Sequence, residues 1–309
     1  MNAASRVKNE PDGRDHPGSN RGFILGLGAY ALWGVLPLYF KAVAEVSAVD
    51  IVTHRVLWSL PFLAALIAVG RGWPKVRAAA ASRKTLGVLA VTALLIGGNW
   101  LLYVYAVNSG HLLAASFGYY LNPLANVLLG RFVLKEQLNR LQWAAVGIAA
   151  AGISILAAGA LSQLWISLTL CVSFALYGLL RKVVTADAVT GLGIETAMLF
   201  PIGLLWLAWR YTDGVPVMGT TDLLTALLLV AGVVSTTPLL LFTAAAKRLP
   251  YSTLGMLQFL APTLQFFIAV AYGEKVTIAH AIAFPAIWIA LALYVTALLR
   301  APRLPQPPE

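Results

Sequence analysis

Charge is scarce in this chain. Only 11% of its 309 residues are Asp, Glu, Lys or Arg, and just 12 are acidic. Soluble domains carry about 25% charged residues, so this composition excludes an aqueous globule. There is a single cysteine, Cys171, which rules out an intrachain disulfide and suits a small buried hydrophobe. The four histidines, His16, His54, His111 and His280, have no histidine three or four positions away, as a helical metal site would need. No metal or other cofactor is expected. No glycine-rich run ends in Gly-Lys-Ser/Thr, so ATP drive within the chain is not expected either. Gly26-Leu-Gly28-Ala-Tyr-Ala31 lies inside an apolar stretch and reads as small residues for close helix contact rather than a dinucleotide loop. Ser109-Gly110-His111 falls in a loop, and no aspartate lies midway along any long apolar run. An enzyme is therefore not the expectation.

Apolar residues fill the space that charge leaves, at 60% of the chain. They gather in runs of membrane-crossing length, about 20 residues for a ~30 Å hydrocarbon core. The runs are 22–40, 49–69, 85–107, 112–134, 140–158, 162–180, 191–209, 222–246, 250–272 and 278–298. In lipid the backbone must satisfy itself, leaving helices or a closed barrel. Barrel strands alternate in polarity over about 10 residues, whereas these runs are unbroken, so helices are predicted.

The net charge of +10 raises nucleic acid as a partner, and its distribution excludes that. If the gaps between runs are assigned alternately to two sides, 18 of the 22 Lys and Arg fall on the side of the N-terminal tail. That asymmetry is the positive-inside pattern and predicts both termini in the cytoplasm. The first run is too long for a signal-peptide core and reads as an uncleaved helix. Residues 1–21 read as a disordered polar tail, and the proline-rich 299–309 as a second cytoplasmic tail.

The chain also repeats itself. Ala31-Leu32-Trp33-Gly34 in the first run matches Ala175-Leu176-Tyr177-Gly178 in the sixth. Pro61 then matches Pro201, Pro123 matches Pro262, and Glu136 matches Glu274. Residues 22–158 and 162–298 therefore read as two copies of a five-helix unit, joined by a linker at 159–161. An odd number of crossings per copy turns the second copy upside down. The predicted fold is an all-α polytopic membrane protein of ten helices in two inverted repeats, an architecture of alternating-access transporters.

A few polar residues within the runs need a reason. Arg55 lies about 9–10 Å below the outer surface at ~1.5 Å per residue. It is either functional or internally paired, or it snorkels to the interface. His54 lies about 100° round the same helix, and fits a helix contact better than a proton relay. Glu195, the repeat counterpart of Arg55, is placed near the cytoplasmic surface, so a direct pair with Arg55 is not expected. One charge near each mouth of a shared cavity fits both, and Glu195 is the candidate carrier of a coupling proton. Asn122-Pro123 and Ala261-Pro262 are matched interruptions, either pointers to a transport site or packing kinks. Tyr119, Tyr120, Gln258 and Gln265 surround them. Asn99, Trp100 and Tyr103 lie on the third helix, and Trp33 and Tyr177 occupy equivalent places in the two copies. Aromatics and carboxamides together suit a small amphipathic solute.

These strings resemble a known family. Ala29-Tyr-Ala-Leu-Trp-Gly-Val-Leu-Pro37, His54-Arg-Val-Leu-Trp-Ser-Leu-Pro61 and Asn99-Trp-Leu-Leu-Tyr-Val-Tyr-Ala-Val-Asn108 carry the likeness, with Gly118-Tyr-Tyr-Leu-Asn-Pro123 and Ser252-Thr-Leu-Gly-Met-Leu-Gln-Phe-Leu-Ala-Pro262. The chain is similar to the drug/metabolite transporter superfamily with EamA-type repeats, and within it to the RarD subgroup. The resemblance implies ten helices, a bacterial inner-membrane location and two inverted halves around a central cavity, and it names no substrate. The expected function is a secondary permease in the lipid bilayer, exporting a small organic metabolite or drug. An uptake permease and a non-transporting receptor or assembly factor are the alternatives. Helices five and ten would brace the fold or form a homodimer, with Gly147, Ala151 and Gly152 permitting close packing.

Overall fold

The computed structural model describes residues 17–108, 111–157, 164–214, 216–272 and 278–300. The tail 1–16, Ser109-Gly110, the linker 159–161, Glu274 and the tail 301–309 lie outside the described residues. Within them all regular structure is helical, in the order α1 (Pro17–Ala42), α2 (Ala48–Val69), α3 (Trp73–Ala81), α4 (Arg83–Asn108), α5 (Leu112–Phe132), α6 (Arg140–Ala157), α7 (Leu164–Val183), α8 (Ala188–Thr212), α9 (Asp222–Ala246), α10 (Tyr251–Leu257), α11 (Leu260–Ala271) and α12 (Ile278–Arg300). Seven of these, α1, α2, α4, α7, α8, α9 and α12, are long and apolar enough to cross a membrane. Large apolar side chains such as Leu94, Leu205, Phe132 and Leu223 point outward, a surface that only lipid tolerates. The protein is a multi-pass membrane protein.

Two elements depart from the predicted runs. Residues 73–81 form the extra helix α3, where a loop is expected. Pro74 sits in its first turn, where a missing N–H costs nothing, and alanines carry the rest. Val76 and Ala79 tuck it against Leu89 of α4 and Ile194 of α8. The run 250–272 is divided into α10 and α11 by a break at Gln258-Phe259. Pro262 has no N–H to give the Gln258 carbonyl four residues back, and the Ala261 amide bonds that carbonyl instead, at 3.2 Å. By contrast Pro123 lies within α5, which runs on as one helix.

Packing joins the two halves of the chain. The principal contacts are α1 with α9 and α11, α2 with α8 and α9, α4 with α7 and α8, α5 with α7 and α10, and α6 with α12. Exchanging the halves turns each of these pairings into another one or into itself: α1–α9 becomes α7–α4, and α2–α8 is unchanged. Small residues allow the closest crossings. A methyl group on Gly232 of α9 would stand 2.2 Å from the Trp58 carbonyl carbon of α2, and one on Gly118 of α5 would stand 2.7 Å from the Ser167 carbonyl oxygen of α7. Helices α6 and α12 pack on each other through Ala145, Ala149, Ile153, Ile287 and Tyr294. Gly152 faces Ala283 and Ala286 of α12 within the same chain, whereas Gly147 and Ala151 are exposed.

Candidate functional site

Between the two halves lies a cavity of about 490 Å³, within the ~300–1,000 Å³ range of small-molecule sites. Its lining comes from the C-terminal halves of α1 and α4, the N-terminal halves of α2, α5 and α12, and α11. These contribute Trp33, Pro37 and Phe40; Asn99, Trp100 and Tyr103; Arg55; Phe117, Tyr119 and Tyr120; His280 and Phe284; and Pro262, Gln265 and Phe266. Phe174 of α7, Leu239 of α9, Leu156 of α6 and Gln258 at the helix break also line it. Seven of the predicted site residues therefore meet here: Trp33, Arg55, Asn99, Trp100, Tyr103, Tyr119 and Gln258. Tyr120, Gln265 and Pro262 join them. The aromatic rings are coupled edge to face, as at Trp33–Phe174 (5.9 Å) and Tyr120–Phe284 (6.1 Å), which holds the wall in shape.

Arg55 is placed by the crossing of α2 and α9. Gly232 lets the two backbones touch, and Ser59 ties them by donating to the carbonyls of Arg55 and Gly232. Thr236 in turn donates to Ser59 at 2.6 Å. One turn toward the cavity, Arg55 Nε donates to Ser235 Oγ at 2.6 Å, and the guanidinium lies 4.7 Å from the Trp100 ring centroid. That distance is a cation–π contact. Among the described residues no carboxylate lies within ion-pair distance of Arg55.

The carboxamides are more constrained. Asn99 donates to the Leu170 carbonyl (3.0 Å) and Ser173 Oγ (2.9 Å), and accepts from the Tyr119 hydroxyl (3.1 Å). It therefore orients Tyr119 and offers little to a solute. Gln258 accepts from Asn126 at 2.9 Å, and Gln265 donates to the Trp33 carbonyl at 3.1 Å.

Four predicted site residues do not line the cavity. His54 bonds the Val217 carbonyl through Nε2 (2.8 Å) and accepts from Trp58 through Nδ1 (3.2 Å), so it is a satisfied helix contact facing away. Asn122 is fully buried in α5. Tyr177 is sealed beneath the cavity among Phe174 and the Glu195 carboxylate, 3.4 Å from its hydroxyl. Glu195 is not at a mouth: it is 1% exposed and lies 3.5 Å from Arg181 of α7, which is 0% exposed. Thr92 donates to the same carboxylate at 2.6 Å. The reason is rotation. Helix α8 turns Glu195 inward toward α4 and α7, and Gly191 one turn earlier leaves room for the guanidinium. Sequence reasoning missed Arg181, which reads as a loop cation because Lys182 follows it, and Ser235, a lone hydroxyl in an apolar run.

Below the cavity lies a polar belt that ties α7 to α9 and, through Glu136, the first half to α10. Lys182 at the end of α7 donates to the carbonyls of Ala246 (2.7 Å) and Leu249 (2.5 Å) at the end of α9. Lys247 at the end of α9 returns the bond to the Val184 carbonyl at the end of α7 (2.5 Å). Cations belong at helix C-termini, where carbonyls lack partners. Conversely, Glu136 caps α10, accepting from the amides of Tyr251 (2.5 Å) and Ser252 (2.9 Å) and from the Ser252 hydroxyl (2.6 Å). Asp187 caps α8 through the Thr190 amide (2.8 Å) and pairs with Lys75 (3.3 Å). Burial pushes its carboxyl up, but the Thr190 and Lys75 bonds outweigh burial and hold it below the ordinary range. Above this belt Tyr30 donates to the Leu254 carbonyl (3.0 Å) and Tyr251 to that of Ala175 (2.7 Å).

An all-helical, multi-pass bundle with an aromatic cavity between its halves defines a membrane permease. Known proteins make the class specific. Residues 20–158 match the EamA-like transporter family. An uncharacterized transporter of Vibrio cholerae is 46% identical over 286 residues, covering 92% of this chain and 94% of the relative. Protein RarD of Escherichia coli K12 is 43% identical over 286 residues, covering 90% and 94%. A solved crystal structure superimposes with a TM-score of 0.70 over 92% of this chain and 100% of that one, at 19% identity, a likeness of fold alone. The chain belongs to the EamA-like transporter family, as a RarD-type member of the drug/metabolite transporter superfamily.

Proposed function

We propose that this permease is a secondary exporter of a small organic solute, working by alternating access from the bacterial inner membrane. Its ten crossings form two five-helix halves of opposite orientation, with both termini in the cytoplasm. One observation carries the reading: the cavity is lined from both halves and lies toward one end of the bundle, while at the other end Glu136 and Tyr30 of the first half bond α10 of the second and the ends of α7 and α9 are tied to each other. With cytoplasmic termini, the cavity end is periplasmic and the belt of Lys182, Lys247 and Glu136 is the inner gate. The structure then corresponds to the outward-facing state. Access from the cytoplasm needs α10 to part from Glu136 and the ends of α7 and α9 to separate, breaking charge-assisted bonds that are worth about 1.5–3 kcal/mol each. Such bonds are strong enough to hold a state and weak enough to exchange.

Two measurements test this. Cysteines replacing Glu45 and Thr220 should react with an impermeant thiol reagent from the periplasm, and cysteines replacing Ala80 and Thr185 only after permeabilisation. Reversal at any site ends the ten-crossing topology. Metabolites retained by cells lacking the gene should then show concentration-dependent flux in proteoliposomes. Import of those solutes instead would make the protein an uptake permease, and binding without flux would make it a receptor.

A further inference from the structure

We infer that the solute is a small organic anion with a flat apolar body, its negative group held by Arg55 and its body lying against the aromatic wall. This rests on reading the cavity as the transported solute's site.

The cavity's charge is one-sided. Among the described residues its lining includes no Asp, Glu or Lys, and Arg55 is its one permanent charge. An arginine without a carboxylate at this depth is costly unless something completes it. Ser235 takes only Nε, and the two Nη groups make no hydrogen bond among the described residues. Nor are they among the sealed polar atoms lacking a partner, so they remain accessible from the cavity. Two Nη donors beside a fixed Nε form the edge that matches a carboxylate or a similar planar anion. Trp100 lies against the guanidinium at 4.7 Å and orients this edge.

The neutral groups add to the bias. The carboxamide oxygens of Asn99 and Gln258 are already taken by Tyr119 and Asn126. What remains toward the cavity includes the hydroxyls of Tyr103 and Tyr120, which have no hydrogen bond among the described residues and can donate to an anion. Beside Tyr120 the ring centroids of Phe284 and Phe266 lie 4.1 Å apart, an apolar surface suited to a ring. A cationic solute would meet Arg55 with no carboxylate to offset it.

The test uses the full chain in detergent and three probes of one shape: 3-phenylpropionate, 3-phenylpropanamide and 3-phenylpropylamine. By titration calorimetry the anion should bind about tenfold or more tightly than the amide, with the amine weakest. Arg55→Gln should bring anion and amide together, and Arg55→Lys should keep the order with a smaller gap. Should Arg55→Gln fail to fold, the three probes on the parent and on Arg55→Lys still decide. The inference is overturned if the amide equals the anion on the parent, if Arg55→Gln keeps a tenfold preference, or if none of the probes binds at millimolar concentration. Flux in proteoliposomes separates the two readings. Anion preference without flux would remove the transporter and leave the anion site, whereas flux without anion preference would do the reverse.

Discussion

Arg181 of α7 and Glu195 of α8 stand 3.5 Å apart with neither reaching solvent, in a polar island separate from the cavity. Desolvating both ions is expensive, and their attraction offsets it only with further bonds. Those bonds are present in part: Thr92 and Tyr177 serve the carboxylate, and the carbonyls of Asp187 and Ala188 accept from Arg181 Nη2 at 3.3 and 3.1 Å, while Nη1 faces the carboxylate and Nε makes no hydrogen bond among the described residues. Gly191 makes the site, since a methyl group there would lie 1.8 Å from Arg181 Nη1.

Removing one partner should strand the other. Glu195→Gln and Arg181→Gln are each expected to cost about 3–5 kcal/mol, seen as a lowered melting temperature in detergent. Arg181→Met with Glu195→Leu should recover most of that loss. Gly191→Ala should behave like the loss of Arg181, whereas Gly87→Ala, with nothing within 4 Å, should be harmless. A Glu195→Gln protein that melts like its parent yet loses pH-driven flux would reverse this account and make Glu195 a proton carrier.

Lys247 gives the fold a pH dependence of defined sign. Burial and then the nearby Arg181 lower its ammonium to about 8, from an ordinary 10.5. Between these values the unfolded chain binds more protons than the folded one, so this group adds stability as pH rises from about 8 to 10.5. The side chain is only partly buried, and solvent screening limits the gain to about 1 kcal/mol. Melting temperatures from pH 7.5 to 10 should rise more in the parent than in Lys247→Met. Identical slopes in the two proteins would refute the assignment.

The helix break offers a third test. Pro262→Ala supplies the N–H of the regular helical bond to the Gln258 carbonyl, in place of the Ala261 amide that bonds it now, and should fuse α10 to α11, swinging Gln258 within the cavity wall. Flux at matched expression should fall several-fold. Pro123→Ala, within a continuous α5, should have the smaller effect. Equal flux in Pro262→Ala and parent would make the break a packing feature.

Much of the helical layout was legible beforehand, because each lipid-crossing segment satisfies its own backbone. The run read as 222–246 is α9 to the residue, and 278–298 is α12 to within its last turn. The exceptions have local causes. Helix α3 was hidden by its charge, although Trp73-Pro74 and the alanine run are helix signals. The break in the ninth run was expected at Ala261-Pro262 and falls at Gln258-Phe259, because proline disturbs the carbonyl four residues before it.

The sequence by itself determined that this chain lives in lipid as helices, since scarce charge and long apolar runs permit nothing else. It also pointed to an internal repeat and to ten of the side chains that line the cavity. Only the tertiary structure decided which polar groups meet. Arg55 faces a cavity with Ser235 at its side, while Glu195, its repeat counterpart, is locked onto Arg181. Each step along a helix turns a side chain by about 100°. Its partner is therefore set by helix rotation and by close crossings such as Gly232 on Trp58, which involve residues far apart in the chain.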